Sequence, residues 1–150
     1  MKMKACLGLL PLVAISACGG GSAKTGATIP TGFTSFQPAD VVIGQADFTS
    51  NAAPTTPGAA TVDTAPGSAA FDGQRLFLPD TYTQRVLGFA AVPTTNGAAA
   101  TTVLGQASAS AKVPGATPAS WYLPQTVHTD GTTLAVADAG NHRVLLLPTS

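Results

Sequence analysis

The strongest constraint on the fold is that the chain repeats itself. Residues 66–89 align without gaps on residues 124–147, 58 positions later, sharing a proline, an Asp-Gly pair, a leucine, an aspartate and Arg-Val-Leu at matching places. A second match lies outside that block. Val42-Ile43-Gly44-Gln45-Ala46 returns as Val103-Leu104-Gly105-Gln106-Ala107, 61 residues on. The difference of three residues falls in an Ala/Thr/Pro-rich loop, where extra length costs little. A period of this size signals a stacked or radial repeat architecture.

One period reads as a set of short antiparallel strands. Residues 67–71 form a small-residue strand, and Asp72-Gly73 is a hairpin signal. Residues 76–80 return as a second strand with Leu76 and Leu78 on one face. A four-residue turn over 81–84 leads into a third strand over 85–89, and residues 102–106 supply a fourth. The second period repeats the series with strands over 125–129, 134–138 and 143–147 and turns at Asp130-Gly131 and 139–142. Residues 41–46 are then a fourth strand without the three that precede it. Four-stranded antiparallel units in this cadence are the blades of a β-propeller.

Composition agrees with an all-β class. The chain contains no Glu, while its 16 Gly and 12 Pro are spread throughout. Strong helix formers other than Ala and Leu are scarce. Lys and Arg form no cluster, which argues against a nucleic-acid partner.

With these elements in place, residues 134–145 (LAVADAGNHRVL) resemble the NHL repeat, named for its Asn-His-Leu signature. The matching positions are Asp138, Asn141, His142 and Arg143. The first copy departs from the signature, with Thr83-Gln84-Arg85 in place of Asn141-His142-Arg143 and Pro79 before Asp80. The branch with a V-[IL]-G-Q strand in each blade is the nearest likeness. The resemblance covers residues 40–150 and implies a propeller, typically of six blades. Two blades are present, so the expectation is a truncated fragment. The alternative is a ring of three copies with cyclic symmetry. In each repeat Asp80 and Arg85, or Asp138 and Arg143, flank the turn and meet across the hairpin, a pairing worth about 0.2–1 kcal/mol as a cross-strand clasp.

The first 17 residues have the layout of a secretory signal. Lys2 and Lys4 precede an apolar run over 5–15 that is shorter than the roughly 20 residues of a spanning helix. Ile15-Ser16-Ala17-Cys18 resembles the lipobox of bacterial lipoproteins. That likeness implies a diacylglyceryl group on the Cys18 thiol, cleavage before it and acylation, such as palmitate, of the new amino group. Two or more chains hold a protein stably at a membrane. Cys6 is discarded with the leader, so the mature chain has one cysteine and no internal disulfide. Removing Lys2 and Lys4 leaves five Lys or Arg against seven Asp, a net charge of −2. The expected domains are the leader over 1–17, a lipidated start and tether over 18–39, and blades over 40–150. Gly19 is not the Asp of the inner-membrane retention signal, so the resemblance points to the outer membrane in a Gram-negative envelope.

No catalytic constellation stands out. His128 and His142 lack a third ligand for zinc, and no metal or cofactor is expected. Asp72 and Asp130 are accounted for by their hairpins rather than by calcium. Trp121 and Tyr122 precede an inner strand; they wedge between blades or, with His128, form a ligand contact. Some proteins similar to NHL propellers are enzymes, including a zinc lyase acting on peptidyl hydroxyglycines, but the matching His set is missing here. The expected function is a membrane-anchored, non-catalytic scaffold for a protein, peptide or glycan. The competing reading is a lyase- or hydrolase-type propeller with its active site in blades beyond these.

Overall fold

A computed structural model describes residue 32 and residues 34–63 and 67–149. The predicted leader, Cys18 and the tether as far as residue 31 lie outside the described residues. Within them the chain is all-β, with seven antiparallel strands in two sheets. The first sheet runs β1 (Ala70–Phe71), β2 (Leu76–Asp80), β3 (Arg85–Phe89) and β4 (Thr102–Leu104) in that order. The second runs β5 (Pro124–Thr129), β6 (Thr133–Asp138) and β7 (Arg143–Pro148). A 3-10 turn follows β2 at Thr81–Thr83 and β6 at Ala139–Asn141. Each ends on a left-handed residue, Gln84 and His142, that starts the return strand.

The two sheets share one core. Ala70, Phe77 and Val86 of the first meet Val127, Leu134 and Val136 of the second, with Trp121 between the sequences of the two sheets. Burying a side chain of this kind stabilises by roughly 1.5–3 kcal/mol. In β6 the alternation is regular, with Leu134, Val136 and Asp138 buried. In β2 the buried alternate residues are instead Phe77 and Pro79, while Leu76 and Leu78 are half-buried on the opposite face. Equivalent strands thus bury opposite faces. That is what neighbours in a stack must do, because each sheet turns its near side to the other.

Several expectations need correction. The predicted fourth strand over 41–46 does not form. A strand requires the N–H and C=O groups of a neighbour; β4 finds them on β3, whereas residues 41–46 find no such edge among the described residues. The first strand is only Ala70–Phe71, and β4 stops at Leu104 because Gly105, at φ 85°, turns the chain out of the sheet. The hairpin tips also sit one residue later than Asp-Gly suggests. The Asp72 N–H donates to the Arg75 carbonyl, and the Asp130 N–H to that of Thr133. The central pairs are therefore Gly73-Gln74 and Gly131-Thr132, with glycine at positive φ in first place, the position a type II′ turn reserves for it.

Candidate functional site

Each repeat is organised around its Asp–Arg pair, and the pair does more than clasp a hairpin. Arg85 places Nε and Nη2 on Asp80 Oδ2, both at 2.8 Å. Nη2 also donates to the carbonyls of Gly58 (3.0 Å) and Thr61 (2.9 Å), and Nη1 to that of Ala109. Asp80 Oδ1 accepts from the Asp63 N–H at 2.8 Å. Both side chains are fully buried. The expected surface pair is thus a sealed hub that holds the loops before β1 and after β4. Two charges sequestered together keep each other compensated, and removing one partner costs about 3–5 kcal/mol.

The second hub follows the same plan. Arg143 Nε donates to Asp138 Oδ2 at 2.7 Å, and its outer nitrogens reach the carbonyls of Ala116 and Thr117. Asp138 Oδ1 accepts from the Tyr122 N–H at 2.7 Å. Asn141 donates through Nδ2 to Asp138 Oδ2 and to the Gly115 carbonyl. His142 is exposed, and its backbone at φ 54° closes the 3-10 turn by donating to the Ala139 carbonyl. The Asp, Asn and Arg of the signature are thus joined in one network, with His142 contributing its backbone.

The aromatic and histidine candidates do not converge. Trp121 is 1% exposed, its Nε1 donating to the Pro118 carbonyl and its ring lying against Gly105. In this position it offers no surface to a ligand. Tyr122 is 39% exposed and rests on Gly140. His128 points to solvent from β5. Six residues of extended chain separate Tyr122 from His128, about 20 Å, so the two do not frame one site. Cys18 lies outside the described residues.

A cleft that sequence reasoning misses opens between the sheets at the hairpin tips. Its volume is about 220 Å³, with Phe77, Phe89, Leu104, Leu134 and Leu147 among its walls and Arg75 at its edge. Arg75 ties the tips together: Nε meets Asp72 Oδ2 at 2.6 Å, Nη2 the Gly131 carbonyl at 3.1 Å, and Nη1 the Thr149 carbonyl. Its guanidinium also sits 5.7 Å from the centre of the Phe77 ring, within cation–π range. Gln84 is a second residue not anticipated. Its Oε1 accepts from the Leu123 N–H at 2.6 Å, and nearby Thr81 Oγ1 donates to the Pro124 carbonyl, docking the first turn on the start of β5. The signal for Gln84 is that a polar residue stands where the other repeat has His142.

Among the described residues no three His, Cys, Asp or Glu side chains gather as a metal would need, and no helix is long and apolar enough to cross a membrane. A scan against models of known protein families gives no match to the chain, and a search of curated proteins gives none either.

Proposed function

We propose that the chain is an exported lipoprotein, anchored through an acylated Cys18, whose sheets are NHL-type propeller blades serving as a binding scaffold at the cell envelope. The cleft between the sheets is the observation that carries the binding role. Its walls are mostly apolar, and the guanidinium at its edge is engaged with Asp72 and two carbonyls. General acid–base work needs a group that titrates near the working pH, and arginine stays charged throughout. Burial of an apolar group is what the cleft offers, flanked by Thr101, Thr102 and Thr149.

Size narrows the ligand class. A volume of about 220 Å³ falls below the roughly 300–1,000 Å³ of small-molecule pockets. It suits one side chain of a protein or peptide better than a whole cofactor or an extended glycan. The recurrence of hub, left-handed residue and hairpin 58 residues apart supports the blade reading.

Two measurements test the proposal. The detergent-extracted full chain, offered to peptide and glycan arrays, should select peptides with an exposed apolar residue. Leu147→Arg, placed in the cleft wall, should weaken that binding about tenfold or more, equivalent to at least 1.4 kcal/mol. Glycan selection, or unchanged binding by the variant, would exclude the cleft as the site. For the anchor, Cys18→Ala should release the protein from membranes and abolish incorporation of labelled palmitate. A variant that still fractionates with membranes would remove the lipoprotein reading.

A further inference from the structure

The second sheet ends on an open edge, and the chain carries a copy of the strand that closes the equivalent edge of the first. In the first sheet β4 pairs with β3 in the register Val86–Leu104, Leu87–Val103 and Gly88–Thr102. Its counterpart in the second sheet would pair with β7, which has no neighbour on that side. Val144 and Leu146 stand there 65% and 71% exposed. Val42-Ile43-Gly44-Gln45-Ala46, the sequence equivalent of residues 103–107, is meanwhile in no sheet.

That segment is already shaped like the one it matches. Gly44 and Gly105, 61 residues apart, have φ of 91° and 85°. Gln45 Nε2 donates to the Ala52 carbonyl as Gln106 Nε2 does to that of Val113, again 61 residues apart. Val62 lies against Gly44 as Trp121 lies against Gly105. The Asp63 N–H meets Asp80 as the Tyr122 N–H meets Asp138. Residues 42–63 therefore repeat the path of residues 103–122 and lack only a third strand beside residues 41–43.

The receiving side is equally prepared. Gln106 Nε2 also donates to the Gln84 carbonyl, and the counterpart carbonyl is that of His142, which has the same left-handed backbone. Arg85 is sealed in part by the Ala109 carbonyl from the loop after β4, whereas Arg143 remains 30% exposed. The counterpart of Ala109 is Phe48, whose carbonyl would complement the open guanidinium charge.

We infer that residues 41–48 of one copy dock on β7 of a second copy, adding the missing fourth strand in a head-to-tail contact. The register follows from the first sheet: Ile43 opposite Val144, Val42 opposite Leu145 and Val41 opposite Leu146. The two surfaces belong to opposite ends of the described chain, so the contact is heterologous and propagates into a ring or a filament. It rests on the internal repeat alone and does not depend on the ligand or the lipid anchor.

The test mixes two detergent-extracted full-length variants, Ile43→Cys and Val144→Cys, under mild oxidation. The expected result is a disulfide-linked pair, twice the mass of one chain, that forms in the mixture and contains one copy of each variant. Leu146→Lys changes an exposed side chain and leaves the monomer folded; it should abolish the crosslink when introduced into the Val144→Cys chain. Excess synthetic peptide of residues 41–48 should compete with the crosslink. Monomeric protein with no mixed crosslink, or an assembly that forms without it, would overturn the inference.

Discussion

Asp80 and Arg85 in the first sheet and Asp138 and Arg143 in the second hold equivalent places, yet the first pair is sealed and the second leaves Arg143 30% exposed. The return strands differ in the same sense. All five residues of β3 are buried, whereas β7 alternates between half-buried and exposed. The difference comes from coverage. β3 lies under β4 and the loop carrying Ala109, while β7 has a neighbour on one side only. One signature therefore contributes unequally to stability, because what a charge or an apolar side chain is worth depends on how much water is excluded around it.

The largest expected contrast is at the hubs. Arg85→Met leaves the buried Asp80 carboxylate without its cation, a loss of about 3–5 kcal/mol. Arg143→Met should cost less, about 1–3 kcal/mol, since Asp138 keeps the Tyr122 N–H and Asn141 as donors. Urea denaturation followed by Trp121 fluorescence measures both, and Trp121 is the chain's single tryptophan and sits in the shared core. Equal losses would mean that coverage does not set the value of the pair.

A smaller contrast isolates packing from charge. Val86 and Val144 are equivalent in the repeat, and their exposures are 0% and 65%. Val86→Ala should cost about 2–3 kcal/mol from lost burial and the cavity left behind. Val144→Ala should stay within about 0.5 kcal/mol in the isolated monomer. If copies associate through β7, the cost at Val144 rises with protein concentration, because association stabilises the native state by mass action. Repeating the denaturation across a dilution series sharpens the comparison and links it to the head-to-tail contact.

Much of the strand pattern is legible in the sequence, and the reason is local. The bounds of β2 and β3 follow from alternating apolar residues between turn signals. The turn before Arg85 or Arg143 reads from its position between them. What depends on residues far away in the chain is not legible. The sealing of Arg85 needs carbonyls at Gly58, Thr61 and Ala109, and none of these carries a side-chain signal. The same holds for Arg75, whose bonds to Gly131 and Thr149 exist only once the two sheets meet. Residues 41–46 mislead in the opposite direction: their pattern is that of a strand, but a strand also needs an edge to pair with. The cleft is a product of packing between repeats and has no motif of its own.

The hairpin tips provide the finest comparison, through pH. Asp130 is held down to about 2, from an ordinary 3.8, by the N–H groups of Thr132 and Thr133 and the Thr132 hydroxyl. At Asp72 burial pushes the other way, but the N–H groups of Arg75 and Gln74 and the Arg75 guanidinium outweigh it and the carboxyl is also lowered. Both native values lie below the unfolded one of about 3.9, so the ionised forms favour the fold. Their contribution is complete above about pH 4 and is lost as the pH falls toward about 2. Asp130→Asn keeps an acceptor oxygen without the charge, so its stability should change less across that window, and the variant and parent curves should converge at acid pH. Asp72→Asn should open the wider gap at neutral pH, because it also removes the anion that positions Arg75, and Arg75 spans both tips. Denaturation curves collected from about pH 7 to about pH 2 separate the two cases. A wider gap for Asp130→Asn would show that the tips act independently and that Arg75 does not couple the sheets.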